Sequence, residues 1–149
     1  MAIYYFDTSA LLKRYVVEDG SVWVRATLEE PEADIVVSQL TIVEGVAALT
    51  RRAKGRAFRP GDAERVIQQL EADFRQHFLV IEVNSQLIDK AVELARRQAL
   101  RGYDALQLAT ALSVSSLLSP ETLMFVAADE ELVTAAEREG LPSVNPAAT

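Results

Sequence analysis

Ile3-Tyr4-Tyr5-Phe6-Asp7-Thr8-Ser9-Ala10-Leu11-Leu12 decides how the chain is read. Four apolar residues suit a buried parallel-sheet strand, an acid and two hydroxyls follow, and a helical pattern begins at once. Asp7 then stands at the carboxyl end of the first strand, where open α/β sheets keep their ligand sites. Asp7 or Thr8 also reads as a plain N-cap for the next helix.

Working outward, the alternation of strand and helix repeats. Ser9 to Val17 carries Leu11, Leu12, Tyr15 and Val16 at helical spacing, with Lys13 and Arg14 on the other face. Asp19-Gly20-Ser21 breaks that pattern, Val22 to Leu28 resumes it, and Ile35-Val36-Val37 is a β-branched second strand. Thr41 to Arg52 opens a helix in which Thr41-Ile42-Val43-Glu44 matches a capping box. A helix from Asp62 to His77, a strand from Leu79 to Val83 and a helix capped at Asn84-Ser85 come next, the last with an inner face of Leu87, Ile88, Ala91, Leu94 and Ala95. Tyr103 to Leu118 has no charge after Asp104, the pattern of a buried helix. Leu123 to Ala127 is a fourth strand, Asp129 to Glu139 a helix, and Ser143-Val144 a short fifth strand. With no repeat, low-complexity tract or linker, residues 1–149 read as a single α/β domain whose parallel sheet is covered by helices on both faces.

Composition narrows the chemistry. Half the residues are hydrophobic and a quarter charged, as in a globular protein, and no apolar run approaches a membrane span, so cytoplasm is the expected location. Cysteine is absent, which removes thiol nucleophiles and cysteine zinc sites. One histidine, His77, cannot supply an acid–base imidazole pair or an HExxH site, and it reads as a solvated helix end. GxGxxG, GxxxxGK[ST] and GxSxG are missing. Twenty-two acids against 15 bases give a net charge of −7, which argues against a protein that coats nucleic acid. What remains is carboxylate chemistry.

The topology gathers four acids. A helix that directly follows a parallel strand starts at the strand's carboxyl edge, which places Asp7, Glu44 and Asp129 together. The helix from Tyr103 must deliver the chain to the start of the fourth strand, so Asp104 in its first turn lies on the same edge. An unpaired charge opening a buried helix costs several kcal/mol, and the helix dipole returns only about 1 of them. Clustered carboxylates also raise one another's pKa values unless positive charge is supplied. All-oxygen donors without His or Cys point to Mg²⁺ or Mn²⁺, and to metal-assisted phosphodiester hydrolysis. Glu44 and Asp129 have simpler readings as a capping-box residue and an N-cap. Arg51, Arg52, Lys54, Arg56 and Arg59 form a basic run that reads either as a helix end favoured by the dipole or as a landing surface for phosphates.

Tyr5-Phe6-Asp7-Thr8-Ser9-Ala10-Leu11, Glu44 after the second strand, Tyr103-Asp104-Ala105-Leu106-Gln107-Leu108-Ala109 and Phe125-Val126-Ala127-Ala128-Asp129-Glu130-Glu131-Leu132 together resemble the PIN-domain ribonucleases, and within them the VapC toxins of type II toxin–antitoxin pairs. The resemblance spans the whole chain. It implies a three-layer Rossmann-like fold with parallel strand order 3-2-1-4-5. It also implies a Mg²⁺/Mn²⁺ site made by Asp7, Glu44, Asp104 and Asp129, with Thr8 or Ser9 orienting a ligand or water. Asp7 and Asp104 would touch the metal, and Glu44 and Asp129 would act through water or position the attacking hydroxide. The implied activity is endoribonuclease cleavage, the implied partners are a VapB-like antitoxin that covers the site and a second copy of the chain. Three alternatives stand beside it: a nuclease-dead PIN scaffold, a metal-dependent phosphatase using Asp7, and an adhesion-type module in which Asp7-Thr8-Ser9 begins a DxSxS motif, with Leu11 where the second serine belongs.

Overall fold

A computed structural model describes residues 2–148. In chain order the elements are β1 (Ala2–Phe6), α1 (Thr8–Leu11) running into a 3₁₀ turn (Leu12–Arg14), α2 (Ser21–Leu28), β2 (Ala33–Ser38), α3 (Leu40–Lys54), α4 (Asp62–Gln76) and β3 (Leu79–Ile81). They continue with α5 (Ser85–Gln98), α6 (Gly102–Leu118), β4 (Leu123–Val126), α7 (Glu130–Arg138), β5 (Ser143–Val144) and a terminal 3₁₀ turn, Pro146–Ala148. The five strands are all parallel in the order β3-β2-β1-β4-β5, as the resemblance implies.

The period-2 alternation of each strand divides the core in two. Ile3, Tyr5, Val36, Leu123 and Phe125 face one side and pack with α5, α6 and α7. Tyr4, Phe6, Ile35, Val37, Met124 and Val126 face the other, against α1 to α4. Tyr5 and Phe125 are register partners on β1 and β4, and their rings stack with centroids 5.7 Å apart. Such a cross-strand aromatic pair is worth about 1 kcal/mol and helps pin the register that sets where β1 ends. Because β1 is central, its carboxyl end opens toward elements on both sides.

Three local expectations fail. The segment from Ser9 to Val17 is not one helix: α1 lasts a single turn and then tightens into 3₁₀. At three residues per turn the faces rotate, so Lys13 comes inside, 6% exposed, with its ammonium 3.2 Å from Glu18. Ile88 is 45% exposed, since the buried stripe of α5 is only as wide as Leu87, Ala91 and Leu94. The uncharged α6 is buried only from Ala105 to Ala111, and beyond that stretch Ser116 and Leu117 are exposed. Among the described residues no helix is long and apolar enough to cross a membrane.

Candidate active site

β1 delivers Asp7 to the carboxyl edge of the sheet, where its backbone N–H donates to the carbonyl of Val126, 2.9 Å away, and extends the β1–β4 ladder by one step. The side chain is 4% exposed. Its Oδ2 accepts the Ser9 N–H at 3.1 Å and the Ser9 hydroxyl at 2.5 Å, so Asp7 does cap α1. Ser9 Oγ in turn accepts the N–H of Ala128, at 3.0 Å, from the loop that carries Asp129. Burial lifts the Asp7 carboxyl from an ordinary 3.8 to about 7; the Ser9 bonds oppose the rise, and the charges of Asp104 and Glu44 add to it.

Glu44 is not held by a capping box. The cap of α3 is Gln39, two residues earlier than the motif implies, so Thr41 lies inside the helix. Glu44 Oε1 accepts from the Thr8 hydroxyl at 2.7 Å and from Gln107 Nε2 at 2.9 Å. Gln107 also donates to Thr41 Oγ1 at 2.8 Å and accepts the Tyr5 hydroxyl at 2.6 Å. Thr8 and Thr41 are themselves 3.1 Å apart. This buried polar cluster ties β1, α1, α3 and α6 together beneath the acids.

Asp104 is half-buried in the first turn of α6. Burial raises its pKa, as do the charges of Asp129, Glu44 and Glu131, while Arg101 opposes the rise. Asp129 caps α7 through Oδ1, which accepts the N–H groups of Glu131 at 2.9 Å and Leu132 at 3.2 Å. Both bonds fall on one oxygen. All four acids therefore share one electrostatic neighbourhood at the edge of the sheet, and among the described residues none of them has a lysine or arginine within salt-bridge distance.

The donor set suits a hard dication, though not as a preformed cage: among the described residues no three Asp, Glu or His side chains stand close enough to hold an ion as they are. Mg²⁺ needs no such cage, because it keeps several waters and takes one or two carboxylates. A carboxyl lifted to about 7 chiefly by burial, with two neighbouring acids adding to the rise, is what an added dication would relieve.

The basic run lies on the last turn of α3 and the loop after it. Arg51, Lys54 and Arg56 are exposed, and Arg52 is bound 3.4 Å from Glu18. His77 caps the end of α4 and is exposed. Leu11, where an adhesion motif needs its second serine, sits in the core at 1% exposure. Gln107, Thr41 and Tyr5 went unflagged in the sequence. The available signal was Gln107 itself, the longest polar side chain in the charge-free run of α6, one turn from Asp104.

The PIN domain family matches residues 4–138, a span that begins in β1 and closes at the last residue of α7. The chain belongs to the PIN domain family. Ribonuclease VapC45 of Mycobacterium tuberculosis (strain CDC 1551 / Oshkosh) is 35% identical to this PIN domain over 117 residues, covering 76% of this chain and 78% of that one. Among solved structures, PAE2754 of Pyrobaculum aerophilum is similar with a TM-score of 0.66 at 23% identity, covering 96% of this chain and 90% of that one. VapBC2 of Rickettsia felis, bound to a DNA fragment from their promoter, gives a TM-score of 0.63 at 15% identity, covering 96% and 98%. Both structures bear on the fold of this PIN domain.

Proposed function

We propose that this PIN domain is a metal-dependent endoribonuclease that hydrolyses RNA phosphodiester bonds, and that it is the toxin of a toxin–antitoxin pair. The observation that carries the reading is the buried Asp7 carboxyl, lifted to about 7 beside Asp104 and Glu44, with no lysine or arginine paired to it among the described residues. Its likeness to a relative named Ribonuclease VapC45 supports both the RNA substrate and the toxin role.

In this reading Asp7 and Asp104 hold Mg²⁺ or Mn²⁺ directly, and Glu44 and Asp129 act through water. When bound, the ion supplies positive charge to the phosphate and lowers the pKa of a water. The chain's own groups do the rest. Ser9 fixes Asp7 Oδ2, leaving Oδ1 for the site, and Thr8 holds one oxygen of Glu44. Asp129 spends Oδ1 on α7, so Oδ2 is the oxygen free to take a proton from a water. Arg51, Lys54 and Arg56 offer exposed charge to the RNA backbone. A cognate antitoxin could silence such a pocket by placing a basic side chain among its acids, since that charge answers the same electrostatic deficit.

The test is cleavage of RNA by purified protein with Mg²⁺ or Mn²⁺. Asp7→Asn and Asp104→Asn each abolish cutting while circular dichroism stays unchanged. Full activity in EDTA, or in both variants, overturns the reading.

A further inference from the structure

We infer that Gln107 is a positioning residue for the metal site, acting through Glu44; the inference rests on the nuclease reading above. Gln107 is wholly buried, on the same face of α6 as Asp104 and one turn further along. A buried amide must satisfy both its ends. Its –NH₂ end donates to Glu44 Oε1 at 2.9 Å, so the carbonyl end has to find a donor. Tyr5 provides it at 2.6 Å. Tyr5 is fully buried. By donating to the amide carbonyl, the Tyr5 hydroxyl locks Gln107 in the orientation that serves Glu44.

The consequence falls on one carboxylate oxygen. Gln107 and Thr8 both bond Glu44 Oε1, and among the described residues no protein donor reaches Oε2. Held at one oxygen, Glu44 keeps a fixed direction and presents the other to whatever fills the acidic pocket. Gln107 touches neither substrate nor reacting atoms in this scheme. It sets the aim of a side chain that does.

The experiment uses the full chain and Mn²⁺ as the probe, read by electron paramagnetic resonance titration and, separately, by steady-state cleavage of RNA. Gln107→Met keeps the volume and removes the amide. The expected result is a folded protein whose Mn²⁺ affinity falls about tenfold, with kcat lowered and KM for RNA unchanged within about twofold. In a Glu44→Gln background the same change costs nothing further in Mn²⁺ affinity, since the residue it acts through is already gone. Equal losses in both backgrounds, or a folded variant with full affinity and kcat, overturn the inference. Should Gln107→Met fail to fold, Gln107→Asn keeps a buried amide one methylene short of Glu44 and must show the same coupling. A wild-type protein that binds no Mn²⁺ overturns the nuclease reading and this inference together, whereas wild-type binding with uncoupled variants overturns only the inference.

Discussion

Replacing Asp7 by Asn in the metal-free protein probes the electrostatics of the pocket without any substrate. The folded-state pKa of Asp7 is raised, so the native protein keeps this proton over a range in which the unfolded chain has released it. Between about 3.8 and about 7 the folded state binds more protons, and stability therefore falls as pH climbs through that window. From pH 5 to pH 8 the loss covers about two pH units at about 1.4 kcal/mol each, or about 3 kcal/mol. For a chain of this length that is a drop in Tm of roughly 6–12 °C. Asn still accepts the Ser9 N–H but has no proton to release. Urea unfolding in EDTA at pH 5 and pH 8 should show the wild type losing about 3 kcal/mol more than Asp7→Asn across the interval. Saturating Mg²⁺ at pH 8 should then stabilise the wild type and leave the variant nearly unmoved. Parallel stability curves for the two proteins would refute the claim that Asp7 is buried, uncompensated and near neutrality.

Asp73→Ala strands the Tyr15 hydroxyl, 2.6 Å from the lost carboxylate, and frees Arg14, so denaturant unfolding should report a loss of about 2–3 kcal/mol. Gly20→Ala forces a side chain into a left-handed turn, φ +93°, with its Cβ 2.8 Å from the Pro146 carbonyl carbon; the expected cost is about 2–4 kcal/mol by the same measurement. Changing Arg51, Arg52, Lys54 and Arg56 together to Ala, in an Asp104→Asn background that cannot cut, should weaken single-stranded RNA binding. Arg52 is already tied to Glu18, so about three phosphate contacts vanish and the log–log salt slope flattens by about 2. An unchanged slope would leave the run as a solvated helix end.

Much of the fold was legible because strand and helix alternate with clear periods, and an apolar run that strikes an acid marks the edge of a sheet. Asp104 was legible for a thermodynamic reason, a charge at the mouth of a buried helix. Glu44 shows where the reasoning stops. Thr41 and Glu44 satisfy the spacing of a capping box, yet the partners that hold Glu44 lie 36 and 63 residues away in sequence, and local pattern carries no record of them. Lys13 was misplaced for a related reason: whether one turn is α or 3₁₀ depends on what the following residues pack against, and that decides which side faces in. The placing of Ile88 failed because amphipathic spacing gives the centre of a buried stripe but not its width.

The bond between the Ala128 N–H and Ser9 Oγ joins residues 119 apart in sequence, tying the turn that holds Asp7 to the loop that holds Asp129. A nascent polypeptide still short of β4 therefore has its first strand but lacks one neighbour for it and the loop that closes over Ser9. The pocket cannot close until the segment that carries Ala128 and Asp129 has been made, so a product truncated ahead of it holds Asp7 without the loop that fastens Ser9.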